Sequence, residues 1–440
     1  MIRIVGVRLF FFLLVVLTLC GSLFGQGVNE TRTASSDAEL QFVVYLQRHG
    51  VRSPTGEPAR YNKYSAAPWP NWDVPPGNLT AHGYKLMTMF GAFDRLYLAK
   101  LGLFQASGCD DAPHVTILAD SDQRTRETAK AIAEGLLPGC NVSITAKPEG
   151  TDDPLFHPLA EGTGRIDAKL AFAAIRGRIG GSPNNLTEAY RPQLAALDDV
   201  LAGCGHALAI ATAAGPKRTS LFDLPAELST GKEDHPAELR GPLNTASTLS
   251  ENLLLEYTEG MPDSKVGWGC VNEATLRTVL QLHSAAEDFG VRTAPIARVY
   301  ASNLLDAILK AIQQSATRKP VSGAPGKPGD RILFLIGHDT NISAVAGALG
   351  LTWILDGRRD DTPPGGALVF ELWRSWADGS QFVRVDYTAQ TLEQMRGTRT
   401  LTLGDSPARV SLFVPGCSKE DDGCSLEGFS EAVRNSIGGP

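Results

Sequence analysis

The chain has 440 residues, of which 43% are hydrophobic and 20% charged. That composition excludes a disordered tail or a fibrous repeat, and the length suits two lobes or one large α/β unit. The formal charge of −7 argues against a nucleic-acid partner, so any anionic ligand has to be drawn in by a local positive site.

In chain order, the first segment reads as a secretory signal. Arg3 and Arg8 lie in a short cationic start, Leu9–Cys20 is an apolar run, and the small residues Gly21, Ser22, Gly25 and Gly27 follow. The run is shorter than the roughly 20 residues that a membrane span needs. Cleavage is expected within 22–27, which sets residues 1–27 apart from the fold. Cys20 raises a lipoprotein alternative, but Leu19 fits that signal poorly. No later stretch suits a span, so no stable membrane anchor is expected. Removing the signal takes two basic residues and no acid, leaving 39 basic against 48 acidic side chains, net −9. Six of the seven cysteines remain, an even number that reads as a disulfide framework in an exported chain. Cys109/Cys140 and Cys417/Cys424 are local candidates, and Cys204/Cys270 follows by exclusion.

Leu40–Leu46 is a near-continuous apolar run rich in β-branched and aromatic residues, as expected of a strand buried on both faces of a parallel sheet. Residues 53–78, with their prolines, tryptophans and asparagines, read as a long surface loop. Helical spacing runs from Leu79 to Leu103, with Leu86, Met89, Phe90, Phe93, Leu96 and Tyr97 as a core-facing stripe. His114–Ala119 is a second buried strand, and a helix over Arg124–Leu137 follows it. Between 155 and 290 helical patterns dominate (166–179, 186–203, 239–260 and 272–289), broken by Gly/Pro/Ser stretches at 180–184 and 214–238. Arg331–Ile336 is a third buried strand with a helix starting near Thr340. Ala367–Trp373 and Phe382–Ala389 form a hairpin around Asp378-Gly379, and Arg409–Val414 is a further strand.

Each of the three buried strands runs into charged residues. Arg48-His49-Gly50-Val51-Arg52-Ser53-Pro54-Thr55 follows the first. Asp120-Ser121-Asp122-Gln123-Arg124-Thr125-Arg126 follows the second, and Gly337-His338-Asp339-Thr340-Asn341 the third. Ligands of open α/β sheets bind outside the carboxyl ends of strands. If these strands are neighbours, Arg48, His49, Arg52, Arg124, His338 and Asp339 share one pocket. Guanidinium forks match the oxygens of a phosphoryl group, and transfer of that group needs positioning and charge stabilisation above all. A neutral imidazole at His49 can attack phosphorus, and neighbouring arginine charges disfavour imidazolium. Asp339 can protonate the leaving alkoxide and then take a proton from water. The R-H-G-x-R-x-P pattern has five fixed letters, expected by chance on the order of 10⁻⁴ times in such a chain. A His-Asp pair alone carries little weight.

At these residues the chain resembles the histidine acid phosphatases, the two-domain branch of the histidine phosphatase superfamily, and within them the bacterial periplasmic phytases. The likeness runs through Arg48–Arg52 with Pro54-Thr55, the Asp120–Arg126 segment, Gly337–Asn341, Asp361–Gly366, and Gly416-Cys417 to Cys424. It implies a mixed central α/β sheet flanked by helices, formed by 38–154 and 291–440, with a mainly α-helical lobe inserted at 155–290. It implies a phosphohistidine intermediate on His49, Asp339 as proton donor, and a phosphate site of Arg48, Arg52, Arg124 and His338. Thr55, Thr340 and Glu251 are candidate contacts to the rest of the substrate. No metal or other cofactor is expected. The expected partner is a small phosphate ester in the periplasm or outside the cell, met by a monomer. Phytate is the leading substrate. A sugar phosphate such as glucose 1-phosphate or a broader range of esters is the alternative, and a non-catalytic phosphate-binding protein the alternative of another class. The pattern departs at Gly56, Gln123 and Thr248, where phytase relatives carry a lysine, an acid and a methionine. Asp339 can also be read as a helix N-cap, Arg126 as a brace, and Glu251 and His283 as solvated helix residues. His82, His114, His157, His206 and His235 have no argued role.

Overall fold

The computed structural model describes residues 37–159, 162, 164–205, 218–232 and 235–438. The expected signal segment and His206 lie outside the described residues. An eight-stranded mixed sheet organises the chain: β1 (Ala38–Arg48), β2 (Val115–Ala119), β3 (Ser143–Ala146), β4 (Ile332–Gly337), β5 (Ala367–Ser375), β6 (Gln381–Ala389), β7 (Ala408–Leu412) and β8 (Cys424–Ser425). The spatial order is β7-β6-β5-β1-β4-β2-β3, with β8 beside β6. The half from β1 to β3 is parallel, and β5, β6, β7 and β8 pair antiparallel.

Why β1 reads as an unbroken apolar run follows from its place at the centre. Phe42, Val44 and Leu46 pack to one side with Leu333, Leu335 and the helix Ala294–Thr317, through Leu304, Leu305, Ile308 and Ile312. Val43 and Tyr45 pack to the other with Ile117, Phe334, Ile336 and the helices Ala81–Lys100 and Gln123–Leu136. Both faces are therefore covered, as parallel strands require. A third cluster lies among the helices Ala168–Arg178, Arg191–Ala202, Pro242–Thr258 and Glu273–Phe289. None of the eight sheet strands falls between 155 and 290.

Several expectations shift. Leu96 is exposed, because the buried stripe of its helix runs through Leu86, Phe90, Phe93 and Tyr97 at alternating steps of four and three. The pattern expected as one helix at 186–203 is two, Asn184–Ala189 and Arg191–Ala202, separated at Tyr190 just before Pro192. Residues 227–238, expected to be irregular, and 239–240, expected to begin a helix, form a hairpin of Glu227–Lys232 with His235–Arg240, and the helix starts at Pro242. The disulfides Cys109–Cys140, Cys204–Cys270 and Cys417–Cys424 are all present.

The register brings the charged strand ends together. Arg48 stands opposite Gly337, and Ala119 opposite Ile336, so β4 carries its His-Asp pair between the ends of β1 and β2. Backbone bonds hold the turn after β1: His49 N donates to Gly337 O (3.0 Å) and Gly365 N to His49 O (2.9 Å). Gly83 lets the helix Ala81–Lys100 approach that turn, since a Cβ at 83 would stand 2.1 Å from Val51 O.

Candidate active site

Arg48 is fully buried at the floor of the site. Its guanidinium donates to Thr362 O (2.5 Å) and to the carboxylates of Glu251 and Asp339 (2.8 Å for Asp339). A buried guanidinium stays charged at little net cost only when carboxylates answer it at contact distance. Arg52 donates to Ser53 O (2.9 Å) and lies 3.6 Å from the same Glu251 oxygen. Burial pulls Arg52 down to about 10. Arg124, in the first turn of its helix, pairs with Asp122 (2.6 Å) and points Nη2 at His338 Nδ1 (3.4 Å).

His49 is buried among these groups. Its Nδ1 lies 2.8 Å from Gly50 O. A carbonyl oxygen only accepts, so Nδ1 carries the proton and Nε2 keeps its lone pair. Burial first, then the charges of Arg124, Arg48 and Arg52, hold the imidazole well below its ordinary pKa. The ring therefore stays neutral in mild acid. His338 stands edge-on to it, ring centres 5.6 Å apart. Its Nε2 lies 2.6 Å from Asp120 Oδ2.

Asp339 is the first residue of the helix Asp339–Leu349, not its cap. His338 occupies the N-cap position, and Asp339 Oδ1 accepts from Thr340 N (2.8 Å). Burial pushes the Asp339 carboxyl up, but Arg48, His283 and Arg52 outweigh it and hold the group well below the carboxylate range. A second correction concerns Glu251 and His283. Neither is a solvated helix residue: both are buried, with Glu251 wedged beneath Arg48 and Arg52 and His283 Nε2 3.9 Å behind it. The same Glu251 oxygen thus faces both arginines. Sequence reading missed this because the partners lie about 200 positions away.

Thr55 is exposed at the mouth and Thr340 is half-buried at the helix start. Arg126 donates to Lys147 O (3.0 Å) and so braces β3 rather than the site. Gln123 accepts from Leu79 N (2.8 Å), a tie an acid would make equally well. The reading from motifs missed one histidine altogether. His157 Nε2 lies 2.6 Å from the same Asp120 oxygen that holds His338. Among the described residues, Asp120, His157 and His338 are the group with metal-like composition. Bonds of about 2.0–2.1 Å to one tetrahedral ion would set the donors about 3.3 Å apart, whereas these contacts have hydrogen-bond length.

Comparison with known proteins decides the family. The profile of the histidine phosphatase superfamily (branch 2) matches residues 39–203 and 242–388. The chain belongs to that family. It is a histidine acid phosphatase, and members of this kind hydrolyse phosphate monoesters. Phytase AppA of Escherichia coli (strain K12) is 37% identical over 408 residues, spanning 91% of this chain and 93% of that protein. A glucose-1-phosphatase of Salmonella typhimurium is 26% identical over 426 residues, 96% of this chain and 98% of its own. Hafnia alvei phytase, solved with tartrate and with myo-inositol hexakis sulphate, superposes at TM-scores of 0.83 and 0.81. Identities are 35% and 36%, over 92% of this chain and 98% of that one in each case.

The burial of Glu251 generates a prediction. Glu251→Gln leaves Arg48 with Asp339 and takes from Arg52 its carboxylate at 3.6 Å, and should lower unfolding free energy in urea by about 3–5 kcal/mol. A change under about 0.5 kcal/mol, normal for a surface substitution, would show that Glu251 does not carry the clamp.

Proposed function

We propose that this phosphatase is an exported enzyme that cleaves phytate, myo-inositol hexakisphosphate, with His49 as nucleophile and Asp339 as proton donor. One observation carries the chemistry: a neutral imidazole with a free Nε2 lone pair, ringed by three guanidinium groups, with an acid bonded to one of them. The Nε atoms of Arg48, Arg52 and Arg124 are buried without a protein acceptor. Leaving such donors unpaired costs about 1–3 kcal/mol each, which a multivalent oxyanion would relieve.

In the first step His49 Nε2 bonds to phosphorus, and the ester P–O bond breaks as Asp339 gives its proton to the leaving oxygen. In the second, Asp339 takes a proton from water, the water oxygen bonds to phosphorus, and the N–P bond breaks to release inorganic phosphate. Asp339 has to be protonated for the first step, although Arg48 holds it ionised in the free site. A bound phosphate draws off part of the Arg48 charge and adds its own negative charge, and both effects raise the Asp339 pKa. Acidic conditions act in the same direction.

The phytate reading rests on the mouth. A Cβ at Gly56 would stand 2.4 Å from Tyr61 Oη, so a side chain there would have to displace Tyr61. Cations stand nearby instead. Arg60 and Lys63 line a cavity of about 290 Å³ with Thr55, Asn244, Thr245 and Thr248, and Thr55 follows Arg52 closely in the chain. A substrate with five further phosphates would use such charges, and a sugar monophosphate would not. The 37% likeness to a phytase supports this reading, and the 26% likeness to glucose-1-phosphatases keeps the second in view. Export rests on the signal-like start. No described helix is long and apolar enough to cross a membrane. We read 155–290 as an insertion because the sheet is built entirely on either side of it.

Two outcomes follow. Asp339→Asn should lower kcat/KM by about 10²–10⁴ for alkyl phosphates and less than tenfold for aryl phosphates, whose leaving groups need no proton. Equal losses would remove Asp339 from the leaving-group step. Phytate should exceed glucose 1-phosphate in kcat/KM, and Arg60→Glu with Lys63→Glu should cut the phytate value about tenfold, or 1.4 kcal/mol, while moving glucose 1-phosphate less than twofold. A tenfold preference for glucose 1-phosphate would overturn the phytate reading.

A further inference from the structure

One carboxylate oxygen in this site serves two histidines. Asp120 Oδ2 lies 2.6 Å from His338 Nε2 and 2.6 Å from His157 Nε2, while Oδ1 accepts from Ser121 N (2.8 Å). The Asp120 side chain is fully buried. An ionised carboxylate only accepts, so both rings turn an Nε2–H toward it. His338 Nδ1 is then the atom left to face Arg124. His157 lies outside every motif, yet its placement is tightly built. Asn341 Nδ2 donates to Phe156 O (2.9 Å), and Asn341 Oδ1 accepts from His338 N (2.9 Å). Asn303 Nδ2 holds Pro154 O (2.6 Å), and His157 N donates to Asp153 O (2.7 Å). The segment bearing His157 and the turn bearing His338 are thus tied through one asparagine.

Asp120 orients His338 but also sets a negative charge directly behind a site that must bind an anion. Something has to offset it without loosening its hold. His157 bonds to the same Asp120 oxygen as His338, with its ring about one-third exposed, so protons can come and go. We infer that His157 is a positioning residue whose imidazolium form cancels the Asp120 charge behind His338, so that the site grips phosphate in acid and releases its grip as His157 loses its proton. The inference rests on the phosphatase reading of the site.

The groups facing His157 support the direction. Asp120 bonds to it, and Asp152 and Asp122 add negative charge from the neighbouring loop and from the start of the helix Gln123–Leu136. The Asp120 hydrogen bond outweighs burial and raises the His157 pKa. Arg124 offsets the Asp122 charge at 2.6 Å and Lys147 donates to the Asp152 backbone oxygen (3.3 Å), which leaves Asp120 as the dominant partner. The His338 ring, 5.5 Å away, is kept toward its neutral form by burial and Arg124 despite Asp120. A raised pKa means that His157 is charged below that value and neutral above it. Anion affinity should therefore fall as pH rises.

The test is competitive inhibition by sulfate, whose charge is constant over the range, against aryl phosphate hydrolysis at pH 5 and pH 7.5. In the wild type the sulfate Ki should rise about tenfold between the two, the scale of one nearby charge at intermediate dielectric. His157→Gln keeps an N–H for Asp120 but never ionises. It should bind sulfate weakly already at pH 5, changing less than about threefold to pH 7.5, with kcat at pH 5 within about twofold of wild type. His157→Lys stays charged and should keep tight binding at pH 7.5. A wild-type pH profile retained in His157→Gln, or equal weakening of both variants at both pH values, would overturn the inference. Wild type untouched by sulfate would overturn it together with the phosphate-site reading.

Discussion

The arrangement depends on one electrostatic constraint: Arg48, Arg52 and Arg124 crowd into a buried pocket around a histidine that must stay neutral. Like charges at such range repel strongly in a low-dielectric setting. Glu251 lies beneath two of the arginines and Asp339 bonds to Arg48, while Asp122 takes the third. Burial first, and then the charges of Arg124, Arg48 and Arg52, hold the imidazole below its ordinary pKa. In the proposed reaction, one device would make an anion site and a nucleophile together.

The sheet serves this constraint. A parallel run of β1, β4 and β2 ends its strands side by side, and each end delivers two or three polar residues to the same point. The helix Pro242–Thr258 reaches in from outside the sheet to supply Glu251. The balance of charge therefore joins elements that are distant in sequence, and neither partner is stable in the pocket alone.

That division explains what could be read from the sequence. Arg48, His49, His338 and Asp339 were legible because each follows a strand buried on both faces, and such strands announce themselves as apolar runs. Their convergence required only that the strands be neighbours. Glu251 was legible as a residue but not as a buried counter-charge, because its helix carries no sign of which face meets β1. His157 follows no strand and belongs to no motif, and only the fold brings it to Asp120. The hairpin at 227–240 escaped because its strands are short and polar. The helix Ala294–Thr317, which no motif announces, shares one face of the sheet with the helices Asp339–Leu349 and Leu426–Ile437. The pairing of Cys204 with Cys270 was reached by exclusion, and the other two bridges by proximity in sequence.

The central claim is that His49 takes the phosphoryl group from the substrate and passes it to water. It is tested most directly by turning over an aryl phosphate carrying ³²P with Asp339→Asn, whose second step lacks its base, and quenching in alkali. The account predicts a base-stable, acid-labile label on the peptide that contains His49, lost when His49 is replaced by Ala. Label on His338, or turnover with no histidine label at any quench time, would contradict it.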